Sequence, residues 1–173
     1  MSDASAPHLY AIALGSNRRQ GHYGAPERVI DAALDALADG EVDVLTDSGV
    51  ITSSAIGPSL RRYANAAALI ESALAPPALL ALLKSIERNF GRRPGQRWSA
   101  RVLDIDIILW SGGLWSTPTL SIPHPHWRAR RFVADPLASI APDWCDPVTG
   151  LTVRHIAHRL RHPRPVDPAP RTA

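Results

Sequence analysis

The segment at residues 102–110 (VLDIDIILW) constrains the fold more than any other part of the chain. It is short, apolar and rich in β-branched residues, which predicts a β-strand. Because successive side chains of a strand point to opposite faces, Asp104 and Asp106 are expected to share one face. The apolar side chains are expected on the other face, towards a core: Leu103, Ile105, Ile107 and Leu109. The fold must therefore contain a sheet that is apolar on one face and polar, at this strand, on the other.

The remaining elements follow from the same periodicities. Further strands are predicted at residues 8–14, 42–52 and 63–71, and helices at 26–38, 77–90, 133–140 and 151–158. The strands are not spaced as in a long βαβ series, which favours an α+β fold in which helices flank an antiparallel or mixed sheet. We expect a single domain over residues 8–160, and residues 161–173, rich in Pro and Arg, are predicted to be a disordered tail.

The cysteine content and the apolar runs of the sequence indicate the cellular compartment. Cys145 is the one cysteine among 173 residues, which excludes an internal disulfide framework and suggests a reducing compartment. No apolar run approaches the length of a membrane span, and no basic segment precedes the run at residues 9–14 as it would in a signal peptide. We therefore expect a cytoplasmic protein with no membrane partner.

The two aspartates of the strand at 102–110 are candidate metal ligands. Their Cβ atoms should lie about 7 Å apart, given the rise of a strand. Magnesium takes oxygen ligands, and two metal ions can clamp a phosphorus during its transfer. The alternative is that Asp104 and Asp106 are simply solvent-facing residues, although aspartate is disfavoured within strands and like charges on one face repel.

Arginines cluster just before this strand. The loop at residues 91–100 carries Arg92, Arg93, Arg97 and Trp98, and Arg101 follows it directly. Guanidinium groups suit phosphate oxygens, and carboxylates opposite arginines match the needs of phosphoryl transfer. The usual nucleotide motifs, a Walker A sequence or a Gly-rich dinucleotide loop, do not occur. A solvated basic surface or a surface that binds nucleic acid remains an alternative from these residues alone.

An ordered set of short motifs runs from about residue 10 to residue 158. In chain order they are Ala13-Leu14-Gly15-Ser16-Asn17, Tyr63-Ala64-Asn65-Ala66-Ala67, Ile86-Glu87, Gly91-Arg92, Arg97-Trp98, Arg101, Leu103-Asp104-Ile105-Asp106-Ile107, Ile122-Pro123-His124-Pro125, Arg130-Arg131-Phe132 and Pro136-Leu137. Each motif is modest alone. Together and in this order they resemble the 6-hydroxymethyl-7,8-dihydropterin pyrophosphokinase family.

The resemblance implies a ferredoxin-like α+β fold, a monomer, ATP as donor and two magnesium ions. It further implies that the pterin hydroxymethyl oxygen attacks the β-phosphorus and that AMP leaves. By the same resemblance, Asp104 and Asp106 bind the metals, and Arg92 and Arg101 stabilise the triphosphate. The implied ATP site is Glu87, Trp98, Arg101, Ile107, Ser121, His124 and Arg130. The implied pterin site is Ser53, Ile56, Tyr63, Asn65, Trp98 and Phe132.

The implied pterin site agrees with simple chemistry. A flat pterin suits a position between aromatic rings, here Tyr63 or Trp98 against Phe132. The amide of Asn65 can both donate to and accept from the polar edge of the ring. The alternative reading of these residues is a set of core aromatics and a turn asparagine.

The chain departs from the family at a few positions, and other functions compete. Lys84 stands where many members have Gln, so it either reaches a phosphate or pairs with Glu87 along the helix. One rival function is a small nucleotidyltransferase that would use Gly15-Ser16 with Asp104 and Asp106 and would release pyrophosphate. Another is a non-catalytic RNA-binding module, which the aspartates on the exposed strand disfavour, so we expect no nucleic-acid partner. A relative that has lost activity is a third.

Overall fold

The computed structural model describes residues 6–54, 62–91 and 102–163. Within these ranges the helices are α1 (Pro26–Ala38), α2 (Pro76–Gly91), α3 (Arg131–Ile140) and α4 (Val153–Arg161). The strands are β1 (His8–Ser16), β2 (Asp43–Asp47), β3 (Ile51–Ser54), β4 (Arg62–Ser72), β5 (Asp104–Trp110), β6 (Trp115–Thr117) and β7 (Leu120–Ile122). A short 3₁₀ turn, Trp127–Ala129, precedes α3. None of the described helices is both long and apolar enough to cross a membrane.

The main sheet is antiparallel and has the strand order β2-β4-β1-β5, with β3 also paired to β4. Helix α1 connects β1 to β2 across the position of β4, and α2 connects β4 to β5 across the position of β1. These two split βαβ units make a ferredoxin-like α+β fold, which confirms the predicted fold class. β6 and β7 form a separate two-stranded hairpin.

Helices cover both faces of the sheet. On one face, α1 buries Val29, Ile30, Ala33 and Leu37, and α2 buries Leu79, Leu83, Ile86 and Phe90, as their helical periodicity predicts. They pack on alternate residues of the central strands, such as Ile12 and Ile105. On the other face, a second core is built by α3, α4 and Trp127 over the small residues Ala11 and Ala67. The sheet face that carries Asp104 and Asp106 is therefore polar only near these residues, because α3, α4 and Trp127 cover the rest of it.

A β-bulge corrects the predicted alternation along β5. Ile107 pairs with Ile12, but the next pair joins Ala11 to Leu109, so Ile108 is an additional residue on β5. Because a bulge shifts the following side chains to the opposite face, Leu109 packs in the second core and not with Ile105 and Ile107. The expectation that all four apolar residues share one face is therefore wrong for Leu109.

The strand predicted at residues 42–52 is two strands, β2 and β3, which pair with different parts of β4. The chain turns between them at Gly49, whose φ is +66°, a backbone conformation that favours glycine. The carboxylate of Asp47 accepts a hydrogen bond from the Gly49 N–H at 2.8 Å, which stabilises the turn. The Ser48 N–H donates to the Ala67 carbonyl at 2.9 Å, and the Ser48 hydroxyl oxygen accepts from the Ala67 N–H at 3.0 Å. These two hydrogen bonds join the turn to β4.

A buried carboxylate fixes the C-terminal part of the domain. Asp146 is fully buried and accepts two hydrogen bonds of 2.6 Å from the guanidinium of Arg128 and one of 2.5 Å from the hydroxyl of Thr149. Burial by itself would raise the pKa of Asp146, but the hydrogen bonds from Arg128, Thr149 and the Val148 N–H outweigh it and lower that pKa. The ion pair between Arg128 and Asp146 holds the turn before α3 against the segment that leads to α4.

Candidate active site

A cavity of about 540 Å³ opens on the sheet face that carries the aspartates, where α3 begins. Its volume is within the range of small-molecule sites. The described residues that line it are Ala13, Leu14, Gly15, Ser16, Asn17, Tyr63, Asn65, Asp104, Asp106, Arg130, Phe132 and Val133. The ends of three neighbouring strands and the first turn of α3 therefore meet around one space.

The register of the sheet arranges the floor of this cavity. Gly15 on β1 pairs directly with Asn65 on β4 and with Asp104 on β5. Directly paired residues of an antiparallel sheet point to the same face, and neighbouring strands lie about 5 Å apart. The amide of Asn65 and the carboxylate of Asp104 are therefore on opposite sides of Gly15. Two strand positions further into the sheet, Ala13 pairs with Asp106 in the same way.

Asp104 and Asp106 both line the cavity, as the spacing on the strand predicts. The side chain of Asp106 is 37% exposed. Paired carboxylate oxygens suit a hard cation such as Mg²⁺. In the described ranges no cluster of three or more His, Cys, Asp or Glu residues is placed to hold a metal ion. A cation at these two carboxylates would take its other ligands from water or from a phosphate, as magnesium usually does in proteins.

The position of His124 beside Asp106 is set by its main chain. A cis peptide bond joins Ile122 to Pro123, and the N–H of His124 then donates to the carbonyl of Ile108 on β5 at 3.0 Å. The Nδ1 atom of His124 accepts from the His126 N–H at 3.2 Å, so the neutral ring carries its proton on Nε2. That Nε2 lies 3.9 Å from Oδ2 of Asp106.

The surroundings of His124 favour its neutral form. Partial burial is the main cause that lowers the pKa of the imidazole, and the positive charge of Arg130 and Lys84 lowers this pKa further. Asp106 acts in the opposite direction but does not compensate for them. His124 is therefore a neutral N–H donor at the side of the carboxylates.

Two large aromatic side chains stand exposed at the cavity. Tyr63, at the start of β4, is 40% exposed, and Phe132, in the first turn of α3, is 49% exposed. The guanidinium carbon of Arg130 lies 5.9 Å from the centre of the Phe132 ring. Exposed rings beside a cavity can cover a flat ligand, and the nearby guanidinium adds positive charge.

The outer edge of β5 is paired by side chains of α2. The Glu87 carboxylate accepts a hydrogen bond from the Ile105 N–H at 2.7 Å, and Lys84 Nζ lies 2.5 Å from the same carboxylate oxygen. Lys84 also donates to the Ile105 carbonyl at 3.4 Å. Both main-chain groups of Ile105 that face away from β1 thus have partners on α2. Of the two roles predicted for Lys84, the structure shows the pairing with Glu87.

The structure brings together part of the predicted site. Six predicted residues line the cavity, namely Asp104, Asp106, Arg130, Tyr63, Asn65 and Phe132. The side chain of Ile107 is buried in the core under α1 and α2, so only its main chain can contact a ligand. Ser121 lies on β7, and Ser53 pairs with Tyr63 through β3. Ile56, Arg92, Trp98 and Arg101 lie outside the described residues.

The cavity wall at the end of β1 was not among the residues predicted for the pyrophosphokinase site, although the rival nucleotidyltransferase would use Gly15-Ser16. It comprises Ala13, Leu14, Gly15, Ser16 and Asn17. The hydroxyl of Ser16 is buried and donates to the carbonyl of Val102 at 2.6 Å, which ties the end of β1 to the residue that leads into β5. The sequence carried only a general signal for this wall, since a strand that runs into Gly-Ser-Asn is typical of a turn or loop.

Sequence comparison relates the chain to one family. Residues 11–142 match the family described as 7,8-dihydro-6-hydroxymethylpterin-pyrophosphokinase (HPPK). A 2-amino-4-hydroxy-6-hydroxymethyldihydropteridine pyrophosphokinase of Pseudomonas aeruginosa is 40% identical over 134 residues, which is 76% of this chain and 80% of the relative. A protein of the same name from Synechocystis is 38% identical over 76% of this chain and 70% of the relative. Another from Haemophilus influenzae is 36% identical over 86% of this chain and 94% of the relative.

Structural comparison finds solved proteins with a similar fold. The crystal structure of wild-type Plasmodium falciparum HPPK-DHPS superposes with a TM-score of 0.66 over 91% of this chain and 42% of that chain, at 12% identity. The same protein with pteroate gives a TM-score of 0.65 over 92% of this chain and 43% of that chain. The chain thus spans less than half the length of these proteins, and the likeness concerns the fold alone.

Proposed function

Since the chain belongs to the 7,8-dihydro-6-hydroxymethylpterin-pyrophosphokinase family, we propose that it transfers a diphosphate group from ATP to the hydroxymethyl arm of 6-hydroxymethyl-7,8-dihydropterin. This reaction serves folate biosynthesis. The observation that carries the proposal is the cavity in which an amide and two exposed aromatic rings stand across from two carboxylates. One side suits a flat polar ring and the other suits a cation with phosphates.

The proposed reaction breaks one bond and forms one bond. The hydroxymethyl oxygen of the pterin attacks the β-phosphorus of ATP and loses its proton. The bond between the β-phosphorus and the oxygen that bridges it to the α-phosphate breaks, and AMP leaves with that oxygen. Catalysis of such a transfer depends on alignment of the two substrates and on neutralisation of phosphate charge.

In this proposal Asp104 and Asp106 would hold two magnesium ions through their carboxylates. Bound magnesium neutralises the charge of the triphosphate and orients it. His124, neutral and with its Nε2–H towards Asp106, is a hydrogen-bond donor for a phosphate oxygen or for a water molecule at the same place. Arg130 adds positive charge at the border between the two substrates.

The pterin would lie between the rings of Tyr63 and Phe132, with its polar edge at Asn65. Its hydroxymethyl arm would then point across β1 towards Asp104, because Asn65 and Asp104 flank the same residue of that strand. Ser53, Ile56 and Trp98 are proposed to complete this half of the site.

ATP is proposed to bind beside the outer edge of β5. The main chain of Ile107 alternates with that of Ile105 and is expected to face the same edge, next to His124 and Ser121. Glu87 borders this edge but already bonds to Ile105. Arg92, Trp98 and Arg101 are proposed to contact the triphosphate and to close the site. We further propose that the enzyme acts as a cytoplasmic monomer.

A product assay tests the proposed reaction. The purified protein is mixed with ATP, Mg²⁺ and 6-hydroxymethyl-7,8-dihydropterin, and nucleotides and pterins are separated by chromatography. Pterin-dependent AMP in a one-to-one ratio with the pterin diphosphate supports the proposal. Release of free pyrophosphate would favour a nucleotidyltransferase, and a lack of turnover would indicate a family member without activity. Reactions without pterin and without Mg²⁺ are the controls.

A further inference from the structure

Gly15 lies at the centre of the cavity floor, and we infer that the absence of a side chain there determines which ring the pterin subsite accepts. The inference rests on the proposed function, since it assigns the ring of the pterin to the space above the main chain of Gly15. Glycine inside a strand often marks a place where a ligand approaches the backbone closely.

The backbone conformation does not require glycine at this position. Among the glycines that the structure describes, Gly24, Gly49, Gly113 and Gly150 have positive φ angles. Gly15 does not, so it has a backbone that other residues adopt without strain. Glycine also weakens a strand relative to alanine, because its unfolded state has more conformational entropy. Conformation alone therefore favours a larger residue than glycine here.

Packing within the described protein does not require glycine either. A Cβ atom built on Gly15 would lie 3.6 Å from Oδ1 of Asn65, an ordinary van der Waals contact, and it meets no other described atom within 4 Å. Gly112 shows the contrast, since a Cβ there would come within 2.3 Å of the Trp110 ring. The packing of a neighbouring side chain explains glycine at position 112 but not at position 15.

The space above Gly15 is the cavity itself. Its cross-strand partners Asn65 and Asp104 both line the cavity, and a Cβ on Gly15 would project on the same face between them. A methyl group at this point would lift a flat ring away from the sheet. The ring could then no longer keep its hydrogen bonds to Asn65 and also direct its arm towards Asp104. Gly15 is in this sense a specificity-determining residue for a thin, planar substrate.

The test compares Gly15→Ala with the wild-type protein. We expect the KM for 6-hydroxymethyl-7,8-dihydropterin to rise by about tenfold or more, the usual effect of one unwanted carbon in a binding pocket. The KM for ATP should stay within about twofold, because the methyl group would project beside the pterin half of the cavity. The Tm should stay equal or rise slightly. Binding of the stable oxidised probe 6-hydroxymethylpterin, followed by its fluorescence, should weaken in parallel.

Gly21→Ala is the matched control. Gly21 has no positive φ and does not line the cavity, and a Cβ atom on it would meet no described atom within 4 Å. This variant should behave as wild type in all four measurements.

Three outcomes would overturn the inference. A wild-type KM for the pterin in Gly15→Ala would show that the ring lies elsewhere. An equal rise of both KM values would place phosphate and not the ring over Gly15. A clear loss of Tm would make Gly15 a structural residue. A wild-type protein without pterin-dependent AMP would instead contradict the proposed function, and binding of 6-hydroxymethylpterin to both proteins would then test Gly15 without turnover: equal binding to Gly15→Ala and wild type would overturn the inference.

Discussion

The carboxylate of Glu87 accepts a hydrogen bond of 2.7 Å from the main-chain N–H of Ile105, the residue between the two aspartates of β5. Among the strands that the structure describes, β5 pairs with β1 alone and is an edge strand, so the groups on its outer side have no strand partner within these ranges. Glu87, with Lys84, supplies partners from α2 and joins the helix to the strand that carries Asp104 and Asp106. The metal-binding candidates are thus positioned by a side chain that does not itself line the described cavity.

Replacement of Glu87 should therefore impair positioning more than folding. We expect Glu87→Ala to lower kcat by about ten- to hundredfold, because small displacements of reacting groups are costly. Glu87→Gln keeps an oxygen that can accept from Ile105 and should recover most of the rate. Asp31→Ala, on the exposed side of α1, is the control and should have no effect. Equal losses in the Ala and Gln variants would instead indicate that the negative charge of Glu87, which pairs with Lys84, matters more than its hydrogen bond to Ile105.

The two aspartates should be essential to turnover and dispensable for folding. We expect Asp104→Asn and Asp106→Asn each to lower kcat by about a hundredfold or more, since each removes a charge that balances the cation at the transferring phosphate. The far-ultraviolet circular dichroism spectrum and the Tm should stay close to wild type, because both side chains face the cavity. Asp43→Asn on β2 serves as the control. Wild-type rates and Mg²⁺ dependence in either variant would contradict the metal assignment.

Phe132 should contribute to pterin binding and little to stability. Its ring is 49% exposed at the cavity, so its removal leaves almost no hole in the core. We expect Phe132→Ala to raise the KM for the pterin about five- to tenfold through lost stacking, with the KM for ATP nearly unchanged. Leu114→Ala, which removes a side chain that is 61% exposed and outside the cavity, is the matched control. A larger effect on ATP than on the pterin would move Phe132 to the nucleotide half of the site.

The buried Asp146 should make stability depend on acid pH. Its pKa is lower in the folded than in the unfolded protein, so its contribution is present above the unfolded value and is lost as the pH falls through the folded value. We expect Asp146→Asn to cost about 3 kcal/mol at neutral pH, because it leaves Arg128 without its charge partner.

Urea unfolding between neutral and strongly acid pH measures this difference. The two proteins should begin to converge in stability as the pH falls below about 4, the pKa of an unfolded aspartate, and should converge fully only below the lowered pKa of Asp146 in the folded protein. Asp143→Asn is the control, since its ion pair with Arg154 is exposed and should contribute little. A difference that stays constant across this pH range would mean that the ionised form of Asp146 is not the stabilising one.

Much of the architecture was predictable because it depends on local periodicity. The helices α1 and α2 and the strands β1, β4 and β5 lie close to the predicted ranges, and the two aspartates share a face as the alternation of a strand requires. The prediction was wrong where a pairing partner interrupts that alternation. The bulge that moves Leu109 to the second core arises from the pairing of β5 with β1, and the break between β2 and β3 arises from their pairing with different parts of β4.

The sequence by itself determined which residue types carry the chemistry, namely two carboxylates on one strand face and an ordered set of polar and aromatic motifs. Only the tertiary structure decided that Asn65, Gly15 and Asp104 lie in one row across three strands. Likewise, it alone decided that Glu87 is joined to Ile105 from a helix. The physical reason is that side-chain direction follows from spacing within one segment, whereas register between strands is set by long-range pairing and packing.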